Sequence, residues 1–148
     1  MDSNFSILNN YLVEFFNGIL KIEENSLGEI DGKLSLREMH TIEAIINAAG
    51  KSAGEIAAKL NITLGTLSVA LKTLEKKGYI RREKSESDRR KMRVFSTEKG
   101  IAVNKRHQDF HHKMVNEIMA HLSEKELSIF MTGVEKLNRH FTNLDTLG

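Results

Sequence analysis

Residues 74–93 of this chain read LEKKGYIRREKSESDRRKMR, and no other stretch says more about the fold. Gly78 predicts the end of a helix, residues 79–83 predict a short strand, and the segment that follows is too polar to be buried. Seven of residues 81–93 are basic and three are acidic. Such a loop gains affinity for a polyanion, because each cation placed on a phosphate releases counterions. The stretch therefore predicts an exposed basic loop that contacts a polyanion, of which duplex DNA is the leading candidate.

Composition places the chain among single-domain globular proteins and shows that its basicity is local. Its 148 residues are 40% apolar and 28% charged, which suits one domain with its own core. The net charge of the whole chain is +2, so the excess of cations in residues 81–93 leaves the remainder slightly acidic. The absence of cysteine excludes disulfides and thiolate sites, and the absence of proline suits long helices.

No stretch predicts export, membrane insertion or catalysis. The first residues lack the basic start of a secretory signal, and no apolar run approaches the ~20 residues needed to cross a bilayer. A nucleophile elbow, a phosphate-binding glycine loop and a zinc-protease histidine motif are also missing from the sequence. We therefore expect a cytoplasmic protein that is not an enzyme and does not contact a membrane.

The periodicity of apolar residues predicts a mainly α fold with a small β-wing. Spacings of three and four residues predict a first helix over residues 5–27. Ser35 and Ser52, each followed three residues later by a glutamate, predict capping boxes that open two further helices, and Thr63 is expected to cap a fourth. The helices that follow Ser52 and Thr63 are separated by a short turn, so they are predicted to form a helix-turn-helix.

Two strands and two more helices complete the predicted elements. Residues 79–83 and 92–96 are expected to pair as strands, and the loop 84–91 between them forms a wing beside the helix-turn-helix. Thr97 and Ser123 are then expected to cap two long helices.

The predicted helices at the two ends of the chain favour a dimer. We interpret the chain as one domain in which residues 35–100 bind DNA and residues 5–27 and 98–145 supply dimerisation helices. Their apolar stripes are richer than one small module can cover. A two-fold homodimer would bury them and would present two recognition helices to two half-sites.

The second helix of the predicted helix-turn-helix is expected to enter the DNA groove. Leu67, Ala70, Leu71 and Leu74 share its inward face, so the opposite side of its N-terminal turns is exposed for base contacts. The candidate DNA-contacting residues on this helix and on the wing are Thr63, Gly65, Thr66, Ser68, Val69, Lys72, Asp88, Arg89, Arg90 and Lys91. Because the helix offers no bidentate reader of guanine, we expect a palindromic operator rich in A·T pairs.

The chain resembles the MarR family of winged-helix transcriptional regulators over essentially its whole length. Asp88, Arg90, Val94, Thr97 and Gly100 match the family's wing pattern, in which Ser96 replaces the usual leucine. The resemblance implies that Arg90 enters the minor groove and that Asp88 holds it there through an ion pair. Many members carry an arginine or lysine at the position of Val69, which here could contact a thymine methyl.

Four segments resemble more closely the MarR-type repressors of fatty-acid synthesis genes in Gram-positive bacteria. These are residues 38–42, 63–66, 85–90 and 110–115. The resemblance implies that an acyl chain on acyl carrier protein is the co-repressor. The candidate acyl-binding residues are Phe16, Ile19, Met39, His40, Ile42, Phe110 and Met114. The same residues at helical spacing would serve equally as plain core, and His40 also fits a hydrogen-bonded core residue.

Three alternatives stay open in the sequence. The first is a MarR-type repressor released by a small aromatic effector, and the second is a helical protein-interaction module that does not bind DNA. The third concerns His107, His111 and His112, which include a pair four residues apart that could bind a metal. No acidic third ligand stands out, so we interpret these histidines as structural or surface residues and predict no metal or cofactor.

Overall fold

The computed structural model describes residues 3–88 and 92–145, and it is mostly helical with one small sheet. The elements in chain order are α1 (Ser3–Asp31), α2 (Leu36–Asn47), α3 (Ala53–Lys59), α4 (Leu64–Lys76), β1 (Ile80–Lys84), β2 (Met92–Ser96), α5 (Glu98–Ala120) and α6 (Glu124–Asp145). This order confirms the predicted α fold with a wing. Helix α1 runs past its predicted end near residue 27, since the glycine at position 28 costs a helix only about 1 kcal/mol.

The predicted caps set where the helices begin. Ser35 Oγ accepts a hydrogen bond from the Glu38 amide at 3.2 Å, and the Ser35 amide donates to Glu38 Oε2 at 2.9 Å. Ser52 and Glu55 form the same reciprocal pair at the start of α3. Thr63 Oγ1 accepts from the third amide of α4 at 3.1 Å. These side chains satisfy amides that have no partner within their helix, so the sequence alone could place these starts.

Helix α4 leads directly into the wing. Gly78 follows the C-cap of α4 with a φ of +81°, a conformation that favours glycine. The Tyr79 amide then donates to the Leu74 carbonyl at 3.0 Å, which is a helix-terminal bond rather than a strand bond. Strand β1 consequently begins at Ile80, one residue later than expected.

The wing is an antiparallel pair that rests on the segment before α3. Ile80 pairs with Ser96 at one end of the register, and Lys84 pairs with Met92 at the other. Val94 donates its amide to the Lys51 carbonyl at 3.2 Å, and Arg93 forms a bridge with Ser52. The wing and the helix-turn-helix are therefore joined through backbone hydrogen bonds.

The hydrophobic core lies in the first of two compact units, whose boundary falls within α5 between residues 110 and 111. In the first unit, α2, α3, α4 and the wing strands bury a continuous apolar cluster. Its fully buried side chains include Met39, Ile42, Ile45, Ile56, Leu67, Leu71, Leu74, Tyr79 and Val94. This cluster fixes the position of α4, the predicted recognition helix.

Helices α1 and α6 each carry a long apolar stripe that stays exposed in the single chain. The exposed apolar residues of α1 include Phe5, Leu8, Tyr11, Leu12, Phe15 and Phe16. Those of α6 include Ile129, Phe130, Met131, Val134, Leu137 and Phe141. Among the described residues, no helix combines the length and apolar character that a membrane span requires.

Candidate nucleic-acid interface

Helix α4 presents the predicted contact face to solvent. Leu67, Leu71 and Leu74 are buried beneath the helix, as its periodicity predicted. On the other side, Gly65, Thr66 and Lys72 are exposed, and Val69 is 67% exposed. The N-terminal two turns of α4 therefore offer a surface that can enter a groove.

Two threonines at the start of α4 are hydrogen-bonded to each other. The hydroxyls of Thr63 and Thr66 lie 2.8 Å apart, and the Thr66 amide donates to the same Thr63 oxygen. Both residues are exposed. The Thr63 side chain thus caps the helix and orients Thr66, whose methyl and hydroxyl groups remain on the surface.

Ser68 differs from the other candidates on α4. It was predicted to face outward, but its side chain is half-buried and lines a cleft of about 420 Å³. The cleft runs between α3, α4 and the wing, with Arg82 and Met92 on its wing side. Ser68 therefore points more toward the wing than the helical spacing suggested.

Two of the wing's basic residues are engaged within the protein. Arg82 Nε donates to Glu75 Oε2 at 2.9 Å, which joins β1 to the end of α4. This hydrogen bond lowers the pKa of Glu75 and raises the pKa of Arg82. The Arg81 guanidinium lies 4.9 Å from the centre of the Phe95 ring across the sheet. Part of the positive charge that the sequence places in residues 81–93 therefore stabilises the wing itself.

The start of the wing loop is more buried than its polarity predicted. Ser85 is buried, although the loop was expected to be too polar for burial. Its hydroxyl lies 3.1 Å from the Ser87 hydroxyl and accepts from the Asp88 amide at 3.4 Å, so burial costs it no hydrogen bonds. The remaining candidates of the wing, Arg89, Arg90 and Lys91, lie outside the described residues, and their roles stay predictions.

Lys77 ties the end of α4 to the start of α2. Its ammonium nitrogen donates to both oxygens of Glu38, at 2.7 and 2.9 Å, and to the Lys33 carbonyl at 2.7 Å. Burial raises the pKa of Glu38, but the hydrogen bonds from Lys77 and the Ser35 amide outweigh it, and the pKa is lowered. This half-buried anchor fixes the angle at which α4 leaves the core.

A second anchor joins the base of the wing to α1. The fully buried Tyr79 donates its hydroxyl to Asp31 at the end of α1, and Lys99 Nζ lies 4.1 Å from the centre of the Tyr79 ring. The hydrogen bond lowers the pKa of Asp31, and burial together with the carboxylate raises that of Tyr79. Sequence reasoning missed both anchors, because their partners lie 39 and 48 residues apart and share no periodic pattern.

The candidate acyl-binding residues are only partly brought together. Met39 and Ile42 are fully buried in the core, whereas Phe16 is 65% exposed and Ile19 is half-buried. The rings of His40 and Phe110 both lie near His107, with ring centres 5.7 and 6.4 Å from it. Met114 is half-buried in the second unit.

His40 is hydrogen-bonded, as expected, but it is not a core residue. Its Nε2 lies 3.0 Å from Glu23 Oε1, and 48% of its side chain is exposed. The helical spacing indicated an inward position because the neighbouring residues Met39 and Thr41 are buried.

An exposed recognition helix beside a two-stranded wing defines a winged helix-turn-helix DNA-binding protein. A sequence profile of the MarR family matches residues 34–92. The HTH-type transcriptional regulator SarZ of Staphylococcus aureus strain USA300 is 32% identical over 110 residues, which cover 74% of this chain and 72% of SarZ. The chain belongs to the MarR family and is a DNA-binding transcriptional regulator, which confirms the predicted class.

Solved structures agree with this assignment. FabT of Streptococcus pneumoniae in complex with DNA is 37% identical with a TM-score of 0.89, and the match covers 95% of this chain and 99% of FabT. A variant of S. aureus MepR bound to an oligodeoxyribonucleotide has the same fold, with a TM-score of 0.64 at 23% identity over 90% of this chain and 97% of MepR.

Proposed function

We propose that the protein is a homodimeric repressor of fatty-acid synthesis genes and that an acyl chain carried on acyl carrier protein is its co-repressor. The observation that carries the proposal is the likeness to FabT, at 37% identity over 95% of the chain. The segments around His40 and Phe110 that resemble repressors of fatty-acid synthesis genes support it.

The proposed DNA contacts are the exposed residues of α4 and the wing. Gly65, Thr66, Val69 and Lys72 occupy the exposed face of α4. Hydroxyl and methyl groups without a bidentate arginine fit an operator rich in A·T pairs. Arg90 is assigned to the minor groove, which is narrow in such DNA and attracts arginine.

The proposed dimer buries the apolar stripes of α1 and α6. Among the side chains that the structure describes, ten large apolar ones of α1 and six of α6 are exposed in the single chain. Each Å² of apolar surface removed from water contributes about 25 cal/mol, so a stripe of this length favours association. A two-fold dimer would set two copies of α4 about one helical turn of DNA apart.

An acyl chain can strengthen repression only if it binds the DNA-competent arrangement better than the other arrangements. Met39 and Ile42 have no exposed surface, so a chain that contacts them must displace core packing. Methionine adapts to such displacement more readily than branched residues do. The half-buried Phe110 and the half-exposed His40 provide the more accessible contacts.

The test is the affinity of the full-length protein for a labelled operator duplex in the presence of acyl carrier protein. Carrier with a long acyl chain should tighten binding, carrier with a short chain should tighten it less, and the unacylated carrier should have no effect. Equal affinity with the long-chain and unacylated carriers would rule out the acyl co-repressor. Release of the operator by small aromatic acids would then favour the alternative effector class.

A further inference from the structure

Helices α1 and α2 and the part of α5 that lies in the first unit bring one carboxylate and two imidazoles together. Glu23 of α1 is buried, and its Oε1 lies 3.0 Å from His40 Nε2 of α2 and 3.4 Å from His107 Nε2 of α5. His107 is fully buried, and His40 is half-exposed. The same carboxylate oxygen thus faces the same nitrogen of two rings, and the His40 side of the cluster opens to solvent.

The distances from the Glu23 oxygen to the two imidazole nitrogens match the separation of neighbouring ligand atoms around a single ion. Zn²⁺ binds imidazole nitrogen and carboxylate oxygen at about 2.0–2.2 Å in tetrahedral geometry, which separates neighbouring ligand atoms by about 3.3–3.6 Å. The two distances from Glu23 Oε1, 3.0 and 3.4 Å, lie close to that separation. Hydrogen bonds between the carboxylate and neutral imidazoles would also give such distances, so the two arrangements must be separated by experiment.

Glu23 also supplies the acidic ligand that the histidine pattern lacked in the sequence. His107 and His111 are four residues apart on the continuous helix α5, so their side chains share one helical face. No acidic residue stood out in the sequence as a third ligand, whereas the fold brings Glu23 from α1 to His107.

We propose that Glu23, His40 and His107 bind a divalent transition-metal ion, with Zn²⁺ as the best-fitting one. Two imidazoles in the ligand set favour Zn²⁺ over Mg²⁺ and Ca²⁺, which take oxygen ligands. The half-exposed ring of His40 is the side from which the ion enters. The ion would clamp α1, α2 and α5, and α2 packs against α3 and α4 of the helix-turn-helix. Occupancy would therefore bias how α4 is presented.

The test starts from full-length protein stripped of metal with a chelator and titrated with zinc chloride against a chromophoric competitor. The wild type should bind one ion per chain at this site. Glu23→Gln and His40→Gln should each weaken binding at least about tenfold, since loss of even an outer-shell partner costs that much. His112→Gln is the matched control, because it removes an exposed histidine of α5 outside the cluster and should leave the affinity unchanged.

A second readout separates a metal site from a set of structural hydrogen bonds. Zn²⁺ should raise the melting temperature of the wild type and of His112→Gln but not that of Glu23→Gln, and Co²⁺ should give the visible absorption of a tetrahedral site only in the first two. His40→Gln keeps the readout valid if Glu23→Gln folds poorly, because His40 is half-exposed. Equal zinc affinity in the wild type, Glu23→Gln and His40→Gln would overturn the proposal, as would a wild-type melting temperature that zinc does not change.

Discussion

Individual side chains of the DNA-binding part fall into two groups, those that hold it together and those exposed for contact. Arg82 and Lys77 are committed to Glu75 and Glu38 through short hydrogen bonds. Val69 and Lys72, by contrast, are exposed on α4. Substitutions in the first group should therefore change stability, and substitutions in the second should change DNA affinity at constant stability.

Arg90→Ala should weaken operator binding strongly and leave the fold and the dimer intact. The loss of one phosphate or groove contact should also lower the slope of log affinity against log salt by about one. Asp88→Ala should have a smaller effect, since the role that the family resemblance implies for this aspartate is only to position the arginine. Fluorescence anisotropy over a salt series measures both quantities, with Lys105→Ala of α5 as an exposed-cation control. Wild-type affinity and slope in Arg90→Ala would show that the wing does not enter the groove.

The Glu38–Lys77 pair should make the free energy of unfolding depend on pH in the acidic range. Because the pKa of Glu38 is lowered in the folded protein, its contribution is fully present above the unfolded-state value of about 4.3 and is lost as pH falls through the folded value. Glu38→Gln should cost about 1 kcal/mol at neutral pH and should flatten the fall in the free energy of unfolding below pH about 5.

Urea unfolding at a series of pH values measures this dependence, and Lys77→Met provides the partner variant. The double variant should cost less than the sum of the two single variants, because both remove the same interaction. Strict additivity, or an unchanged acid dependence in Glu38→Gln, would contradict the assignment.

At the scale of elements, the position of α5 against the wing depends on one close approach. A Cβ at Gly100 would lie 2.3 Å from both the Tyr79 carbonyl oxygen and Ser96 Oγ. Thr97 caps α5 beside this contact by accepting from the Gly100 amide at 3.2 Å, and its own hydroxyl donates to the Gly78 carbonyl at 2.7 Å. The start of α5 is thereby fixed to the backbone that follows the recognition helix.

Gly100→Ala should destabilise the protein by about 1–3 kcal/mol, since the Tyr79 backbone must move to admit the methyl group. Gly28→Ala in α1 is the matched control. Apart from the chain neighbours and the adjacent backbone of the helix itself, no atom of the described residues lies within 4 Å of the added carbon there, so the change should be neutral or stabilising by up to about 1 kcal/mol. Chemical denaturation compares the two, and equal stability of the variants would show that the close approach is not maintained in solution.

For the whole molecule, the decisive feature is apolar surface that the single chain leaves uncovered. The exposed apolar residues of α1 and α6 recur along each helix rather than lying singly, and contiguous exposed apolar patches mark association sites. Dimerisation would also double the number of DNA contacts. Tight DNA binding and dimerisation should therefore be lost together.

Ending the chain at Leu122 removes α6 and should convert the protein to a monomer with weak operator affinity. Val134→Asp with Leu137→Asp is a milder test, because it places two charges in the α6 stripe without shortening the chain. Lys136→Ala serves as the control on the same helix. Sedimentation velocity at micromolar concentration measures the assembly state, and a monomeric wild type would contradict the proposed dimer.

The sequence by itself determined the helices, their starts and the wing. The helix starts depend on capping boxes at Ser35 and Ser52 and on the cap at Thr63, and the end of α4 depends on the glycine at position 78. These interactions join residues close together in the chain, so a short stretch of sequence is enough to predict them. The inward face of α4 was predicted for the same reason. Ser68 and His40 were misplaced, because their exposure depends on what packs beside the helix rather than on helical spacing.

Only the tertiary structure decided how these elements are held and what converges between them. Lys77 with Glu38, Tyr79 with Asp31, and His107 with Glu23 join residues that are distant in the chain. No local propensity encodes such pairs, since their energy appears only when burial excludes water and brings complementary groups within hydrogen-bonding distance. The sequence alone could therefore not predict the anchors that orient the recognition helix or the carboxylate–imidazole cluster, because both depend on how the elements pack around the core.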